Sequence, residues 1–402
     1  MITVDQALGV VLDHIRPLPA EVVPLGEARG RVLAEDIRAD IDLPPFDRAR
    51  MDGYAVRAAD VGTAPVELRL IGEVAAGIAF QGRVGPGEAV KIFTGAPIPD
   101  GADAVQKVEV TRAKGNAVEI LEPVTQGQFI TPRASEVAAG QMVSEARGEI
   151  GPAEMSVLAS FGYGHVRVGR RPRIAVISTG SELVEVSSRP SAAQIRNSNS
   201  YALATYAECA GAIIERLGTV EDTPEATRDA IIRAAECSNA VITSGGVSMG
   251  DYDLVKAALR ELGAEIYFDR VIIRPGKPIV FARLNDTWIF GLPGNPVSTS
   301  VTFNVFVRPA IRKMQGESSP LLPQVRARLA RFVRDSSSRR SYLPARLYLR
   351  DGQAAAEPLR WGGSSDLVAF MRANSLIIVP EDTHAIEEGA LVDVMVLRAI
   401  ES

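Results

Sequence analysis

The chain has 402 residues, 46% hydrophobic and 23% charged, and 49 acidic against 44 basic residues leave a formal net charge of −5. Single cores stop growing near ~250–300 residues, so the length calls for several domains, and the acidic balance lacks the basic surplus of a nucleic-acid binder. Asp5 and Asp13 fall where a secretory leader needs an apolar core, and no apolar run approaches the ~18 residues of a membrane span, so a cytoplasmic location is expected.

Thr3-x-x-Gln6 is a capping box, and Val4, Leu8, Val11, Leu12 and Ile15 follow at helical spacing until Pro17 and Pro19 stop the helix. A second helix is predicted over Leu25–Ile37. From Ile41 to Arg133 the chain turns rich in Gly and Pro, with short alternating runs such as Val66–Val74 and Val118–Leu121, which reads as a small β-rich domain. Pro152 opens another helix ending at Phe161-Gly162, expected to pack back on the first helices. The predicted organisation is a helical platform (1–42 and 134–170) carrying a β-rich insertion (43–133).

From Arg173 strands and helices alternate. Strands are predicted at Ile174–Ser178, Ile213–Val220, Ala240–Thr243, Glu265–Ile273, Ile279–Leu284 and Thr287–Phe290. Helices are predicted at Asn199–Cys209, Pro224–Cys237, Asp253–Leu262 and Val297–Met314. Such alternation gives a doubly wound, mostly parallel α/β domain (171–316). Past the linker-like Ser318-Ser319-Pro320, the alternating runs Val325–Phe332, Leu343–Leu349, Leu376–Val379 and Leu391–Leu397 read as a C-terminal barrel-like β domain (317–402). Cys209 and Cys237 read as small buried side chains. His14, His165 and His384 fit no zinc spacing.

Four Gly- or Pro-rich clusters follow predicted strands of the α/β domain: Ser178-Thr179-Gly180-Ser181-Glu182, Ser244-Gly245-Gly246-Val247-Ser248, Arg274-Pro275-Gly276-Lys277-Pro278 and Gly291-Leu292-Pro293-Gly294-Asn295-Pro296. Glycine turns bring backbone N–H groups close to an anion, and hydroxyls add donors. One such loop is an ordinary turn; four at one sheet edge point to an anion or phosphate site. No G-x-x-x-x-G-K-[ST] occurs, and no G-x-G-x-x-G follows a strand, which disfavours P-loop and dinucleotide chemistry. Gly246-Val247-Ser248-Met249-Gly250 matches a nucleophile elbow formally, but the helix signal waits for Asp253 and the one downstream histidine, His384, lies in another predicted domain. A hydroxyl-donor or plain turn role for Ser248 is favoured.

Glu182, Asp222, Asp251 and Asp253 fall in or beside these loops. Carboxylates beside phosphate-binding turns suit Mg²⁺, although Asp253 and Asp222 also suit helix starts. Lys277, Arg270 and Arg274 either oppose the anionic charge or form a solvated rim.

Together these stretches resemble the molybdopterin molybdenumtransferase family. The resemblance rests on Met51-Asp52-Gly53-Tyr54-Ala55, Thr94-Gly95-Ala96-Pro97-Ile98-Pro99, Asn197-Ser198-Asn199 and the four clusters above, in one order along the chain. It implies Mg²⁺-dependent cleavage of adenylylated molybdopterin, transfer of molybdate to the dithiolene, and release of AMP and the molybdenum cofactor by a homodimer. By motif position it implies catalytic roles for Asp52, Thr94, Glu182, Asp222 and Asp253, with Glu182, Asp222 and Asp253 as metal ligands. Gly245, Gly246, Ser248, Arg270, Arg274, Lys277, Pro293, Pro296, Arg340 and Ser364 are implied to bind substrate. The chain departs from the family pattern at Arg133-Ala134-Ser135-Glu136, at Thr223, and at Arg270 and Arg274, where lysines are frequent. The alternatives are a molybdopterin adenylyltransferase, which leaves the other domains unexplained, and a non-catalytic scaffold. A separate adenylyltransferase is a further candidate partner.

Overall fold

The computed structural model describes residues 1–247 and 253–400. The chain divides into two compact units: Met1–Ala34, Arg147–Gly151 and His165–Ser402 in one, Glu35–Ala146 and Pro152–Gly164 in the other.

The larger unit is built on six strands: β1 (Arg173–Thr179), β2 (Ile213–Val220), β3 (Ala240–Ser244), β4 (Glu265–Arg270), β5 (Pro278–Leu284) and β6 (Thr287–Leu292), in the order β2-β1-β3-β6-β5-β4. The first four in that order run parallel, and β5 is antiparallel to both β6 and β4. Strand β1 reads R-I-A-V-I-S-T without polar alternation because both sheet faces are covered. Ile174 and Val176 join one core with Leu203 and Ala207 of α1 (Asn199–Cys209). Ala175 and Ile177 join the other core with Ala230, Ile231 and Ala234 of α2 (Pro224–Cys237) and Val255, Ala258 and Leu259 of α3 (Leu254–Glu261). The crossovers β1–α1–β2 and β2–α2–β3 therefore use opposite faces, and the strand order reverses between β1 and β3. Ser178 and Ser244 stand side by side at the carboxyl ends of those two strands. Open α/β sheets bind ligands at such a switch point.

The run predicted as one helix over Val297–Met314 is an α-helix Pro296–Thr302, a π turn Phe303–Val307 and a second α-helix Arg308–Met314. Pro309 has no N–H to donate to the preceding turn, and the wider π turn just ahead of it relieves that mismatch. Phe303 and Phe306 of this run are fully buried against Phe268, Phe281 and Phe290. Each such ring contributes roughly 2–3 kcal/mol of transfer free energy.

The strand predicted over Glu265–Ile273 stops at Arg270. Ile273 and Arg274 instead pair in parallel with Arg340 and Ser341, at the start of a strand of the C-terminal barrel. That barrel closes with five strands, Gln324–Leu329, Arg340–Arg350, Gln353–Pro358, Ser375–Val379 and Leu391–Val396, because Arg340–Arg350 pairs with both Gln353–Pro358 and Ser375–Val379. Gln353–Pro358 carries no β-branched or aromatic residue, so its pattern is silent in the sequence.

The capping box at Thr3 and Gln6 starts the helix Val4–His14. The second helix predicted over Leu25–Ile37 is absent: a single 3₁₀ turn, Leu25–Glu27, is followed by Gly30 at φ 72° and then by extended chain. Gly30 turns the backbone into the left-handed region, and β-branched Val32 and Ile37 favour strands thereafter.

The smaller unit holds a six-stranded sheet in the order Ala104–Lys107, Gly53–Val56, Glu88–Ile92, Val66–Val74, Ala117–Ile120, Thr111–Lys114. Tyr54, Val56, Leu68 and Val118 fill one core, and Ala55, Val74, Val90 and Val105 fill another. The helix Pro152–Ser160 falls in this unit and Val4–His14 in the other. No helix of the described residues is long and apolar enough to cross a membrane.

Candidate active site

Three of the four glycine- and proline-rich clusters meet at the carboxyl ends of β1, β3 and β6. They line a cavity of about 680 Å³, with Gly180 and Glu182 from the first, Gly245 and Gly246 from the second, and Pro293 and Pro296 from the last. From the fourth cluster, the loop between Arg274 and Pro278, only Pro278 reaches the wall. Close approach explains the glycines. A methyl group at Gly245 (φ 93°) would sit 2.4 Å from the Thr179 carbonyl oxygen, and one at Gly180 would sit 2.7 Å from Glu182 Oε2.

The acids divide. Glu182 and Asp222 both line the cavity and are exposed to it. Asp222 Oδ2 accepts a hydrogen bond from the Ser181 backbone N–H at 3.1 Å, which ties the loop after β2 to the loop after β1. Neither carboxylate has an ion-pair partner among the described residues. Asp253 is not in the cavity wall. It N-caps α3 by accepting from the Lys256 N–H at 3.3 Å, and its other oxygen lies 2.7 Å from Lys256 Nζ. Lys256 also reaches Asp269 at 3.1 Å, and these carboxylates, Asp253 first, push the lysine pKa up. Ser248 and Asp251 lie outside the described residues.

The basic residues nominated from sequence do not line the cavity. Arg274 forms an ion pair with Asp335, whose side chain is 1% exposed. Arg340 chelates Asp5 through two hydrogen bonds of 2.6 and 2.8 Å and lies 3.3 Å from Glu381. It belongs to a separate cavity of about 240 Å³ bounded by the N-terminal helix and the barrel. Arg270 and Lys277 are half-buried outside the cavity wall. The cation that does line the cavity is Arg196, carried by a short parallel ladder of Ile195–Arg196 with Leu183–Val184. Ser364 stands at the rim, where its Oγ accepts from Asn295 Nδ2 at 2.9 Å and its carbonyl accepts from the Val297 N–H at 3.0 Å.

Asp52 and Thr94 lie in the smaller unit and are bonded to each other. The Thr94 N–H and Oγ1 both donate to Asp52 Oδ1 at 2.7 Å. The backbone donor, then the hydroxyl, holds the Asp52 carboxyl below the usual carboxylate range.

Comparison with known proteins agrees with this architecture along the chain. Residues 2–162 match the family description "MoeA N-terminal region (domain I and II)", residues 175–313 "Probable molybdopterin binding domain", and residues 326–397 "MoeA C-terminal region (domain IV)". A protein of Nostoc sp. named molybdopterin molybdenumtransferase is 38% identical over 389 residues, covering 94% of this chain and 88% of its own length. One of Bacillus subtilis with the same name is 35% identical over 405 residues, covering 99% and 94%. The crystal structure of the MoeA protein of Pyrococcus horikoshii superposes with a TM-score of 0.83 at 32% identity, covering 99% of this chain and all of that one. The chain belongs to the molybdopterin molybdenumtransferase family.

In this member of the family the cavity lies mainly within the stretch matched as a molybdopterin-binding domain, with Ser365 and Leu367 added from the C-terminal barrel. Two residues left out of the sequence-derived site hold its loops together. Asn199 Nδ2 donates to Ser244 Oγ at 2.8 Å and to the Gly294 carbonyl at 2.7 Å, joining the β3 and β6 loops at the start of α1. Asn197 Oδ1 accepts from Ser178 Oγ at 3.2 Å and from the Ser200 N–H at 3.1 Å, and its Nδ2 donates to Thr219 Oγ1 at 3.1 Å. The sequence signal was the Asn197-Ser198-Asn199 stretch ahead of a helix. Two asparagines there can cross-brace neighbouring loops because each carries both a donor and an acceptor.

Proposed function

We propose that this enzyme cleaves the phosphoanhydride of adenylylated molybdopterin in a Mg²⁺-dependent step, transfers molybdate to the dithiolene, and releases AMP and Mo-molybdopterin. The observation that carries this reading is the cavity at the β1/β3 switch point, where glycine turns face two carboxylates that have no ion-pair partner among the described residues. Backbone N–H groups suit the phosphates, and the cavity volume suits a nucleotide-sized ligand.

The donor set fits Mg²⁺. That ion is held by one or two carboxylates together with substrate phosphates, and Glu182 and Asp222 supply two. Asp253 fits less well, since both of its oxygens are engaged by Lys256. Among the described residues no three His, Cys, Asp or Glu side chains cluster, which leaves phosphate oxygens to complete the shell. Glu182 and Asp222 would hold the ion, which would supply neutralisation of phosphate charge. The chain's own residues do the rest. The turns at Gly180, Gly245 and Gly246 orient the phosphates, Arg196 balances their charge, and Asn199 and Asn197 keep the loops in register.

Asp52 and Thr94, together with Ser248, Arg270, Lys277, Pro293, Pro296 and Ser364, remain assigned to catalysis and substrate binding by motif position. The four-domain division and the homodimer are part of the same reading, as is a cytoplasmic location. The test is to incubate the purified protein with adenylylated molybdopterin, molybdate and Mg²⁺. AMP release that stops when Mg²⁺ is withheld is the expected result. Pyrophosphate release from ATP and molybdopterin would point to an adenylyltransferase, and intact substrate would point to a scaffold.

A further inference from the structure

The cavity is polar along its loops, yet two large apolar side chains stand exposed in its wall. Ile195 is 58% exposed and Leu367 is 41% exposed. Neither packs into one of the buried cores. Leu367 comes from the C-terminal barrel, not from the α/β sheet, and it is firmly held. The Ser364 carbonyl and hydroxyl fasten its loop to the Val297 N–H and to Asn295. Asp366 then braces the loop from within, accepting from the Gly362 N–H at 2.8 Å and the Ala369 N–H at 3.0 Å. An apolar side chain fixed in this way, with water on its open side, gains on covering by an apolar surface.

We propose that Leu367, with Ile195 and the neighbouring Arg196, contacts a planar heteroaromatic ring of the bound substrate, so that the C-terminal barrel helps to set substrate specificity. The chemistry favours a fused nitrogen heterocycle. Its faces are apolar enough to lie on leucine and isoleucine, and its π system accepts a guanidinium. The inference rests on the substrate assigned above, which carries two such rings, a purine and a pterin. Phosphate binding by the glycine turns needs neither Leu367 nor Ile195, so ring contact and phosphate contact are separable.

The test is calorimetric titration of the full-length protein with three probes: AMP, 6-hydroxymethylpterin phosphate, and ribose 5-phosphate, which has no ring. For Leu367→Ala, one ring-bearing probe is expected to weaken by about tenfold while ribose 5-phosphate is unchanged. Leu367→Met, which keeps the apolar surface, retains affinity within about threefold. Ile195→Ala weakens the same probe, and Val368→Ala, an exposed neighbour outside the cavity wall, changes nothing. A selective loss of AMP assigns the purine, and a selective loss of the pterin probe assigns the pterin. Equal weakening of ring-bearing and ring-less probes, or no weakening, overturns the proposal while leaving the phosphate site standing. Failure of the wild-type protein to bind either ring-bearing probe overturns the substrate assignment, and this inference falls with it.

Discussion

Two cavities of the larger unit use the same residue types to opposite ends. At the carboxyl edge of the sheet, Glu182 after β1 and Asp222 after β2 stand beside glycine turns without ionic partners among the described residues. In the cavity between the barrel and the N-terminal helix, Arg340 is matched by Asp5 and Glu381, and on the Ile273–Arg274 segment that pairs beside it Arg274 is matched by Asp335. An unmatched carboxylate at a nucleotide-sized cavity is available for chemistry. A matched one is spent on holding elements together. Charge alone therefore does not mark a site; availability does.

That contrast can be broken at either end. The largest effect is expected in the cavity: Asp222→Asn and Glu182→Gln should each slow AMP release on the order of 100-fold, with the thermal midpoint unchanged because neither carboxylate is in an ion pair. Steady-state assays beside thermal melts check both halves. At the joint the pattern should reverse. Arg274→Met leaves the buried Asp335 carboxylate without its ion-pair partner, with the Ser337 N–H still donating to it, and should cost about 2 kcal/mol in urea unfolding. That is less than the loss of a wholly buried partner, because the Arg274 side chain is 36% exposed.

Smaller effects sharpen the comparison. Burial pushes the Tyr342 phenol up to about 12. The folded state thus holds that proton more tightly than the unfolded chain, whose phenol titrates near ~10. Stability from this group is complete below the unfolded value and is lost as pH rises through about 10 to 12. Tyr342→Phe should remove that part of the alkaline slope in unfolding measured at successive pH values. The hydrogen bonds from Arg340 lower the Asp5 carboxyl, so its contribution is present above the ordinary carboxylate range and fades as pH falls. Asp5 is 73% exposed, and Asp5→Asn should cost only about 0.5 kcal/mol at neutral pH, vanishing in acid.

Much of the architecture was legible because local signals and tertiary packing agree. Helix α2 was readable from Pro224 at its start, but its cap is Thr223, whose side chain accepts from the Ala226 N–H, and not the Asp222 that the sequence offered. Strand β1 was readable because burial on both faces leaves no polar residue in its interior. Where signals conflict, reading failed. The stretch after Leu25 has helical composition, yet Gly30 at positive φ diverts it. Three of the four glycine and proline clusters were legible as loops that converge on one cavity, because tight turns constrain the residue type. The arginines were not: a guanidinium serves an ion pair or a phosphate equally well, and only the position of Asp335 or Asp5, more than 60 residues away in sequence, decides. Asp253 shows the same ambiguity, since its capping role was foreseen and its pairing with Lys256 was not.

The central claim is that the cavity between the β1, β3 and β6 loops holds the phosphates of a pterin nucleotide. A crystal structure with AMP and molybdate bound tests it most directly. The AMP phosphate is expected within hydrogen-bond distance of backbone N–H groups in the Gly180 and Gly245-Gly246 turns, with Glu182 or Asp222 near it through a cation. AMP bound elsewhere, with those turns touching only solvent, would contradict it.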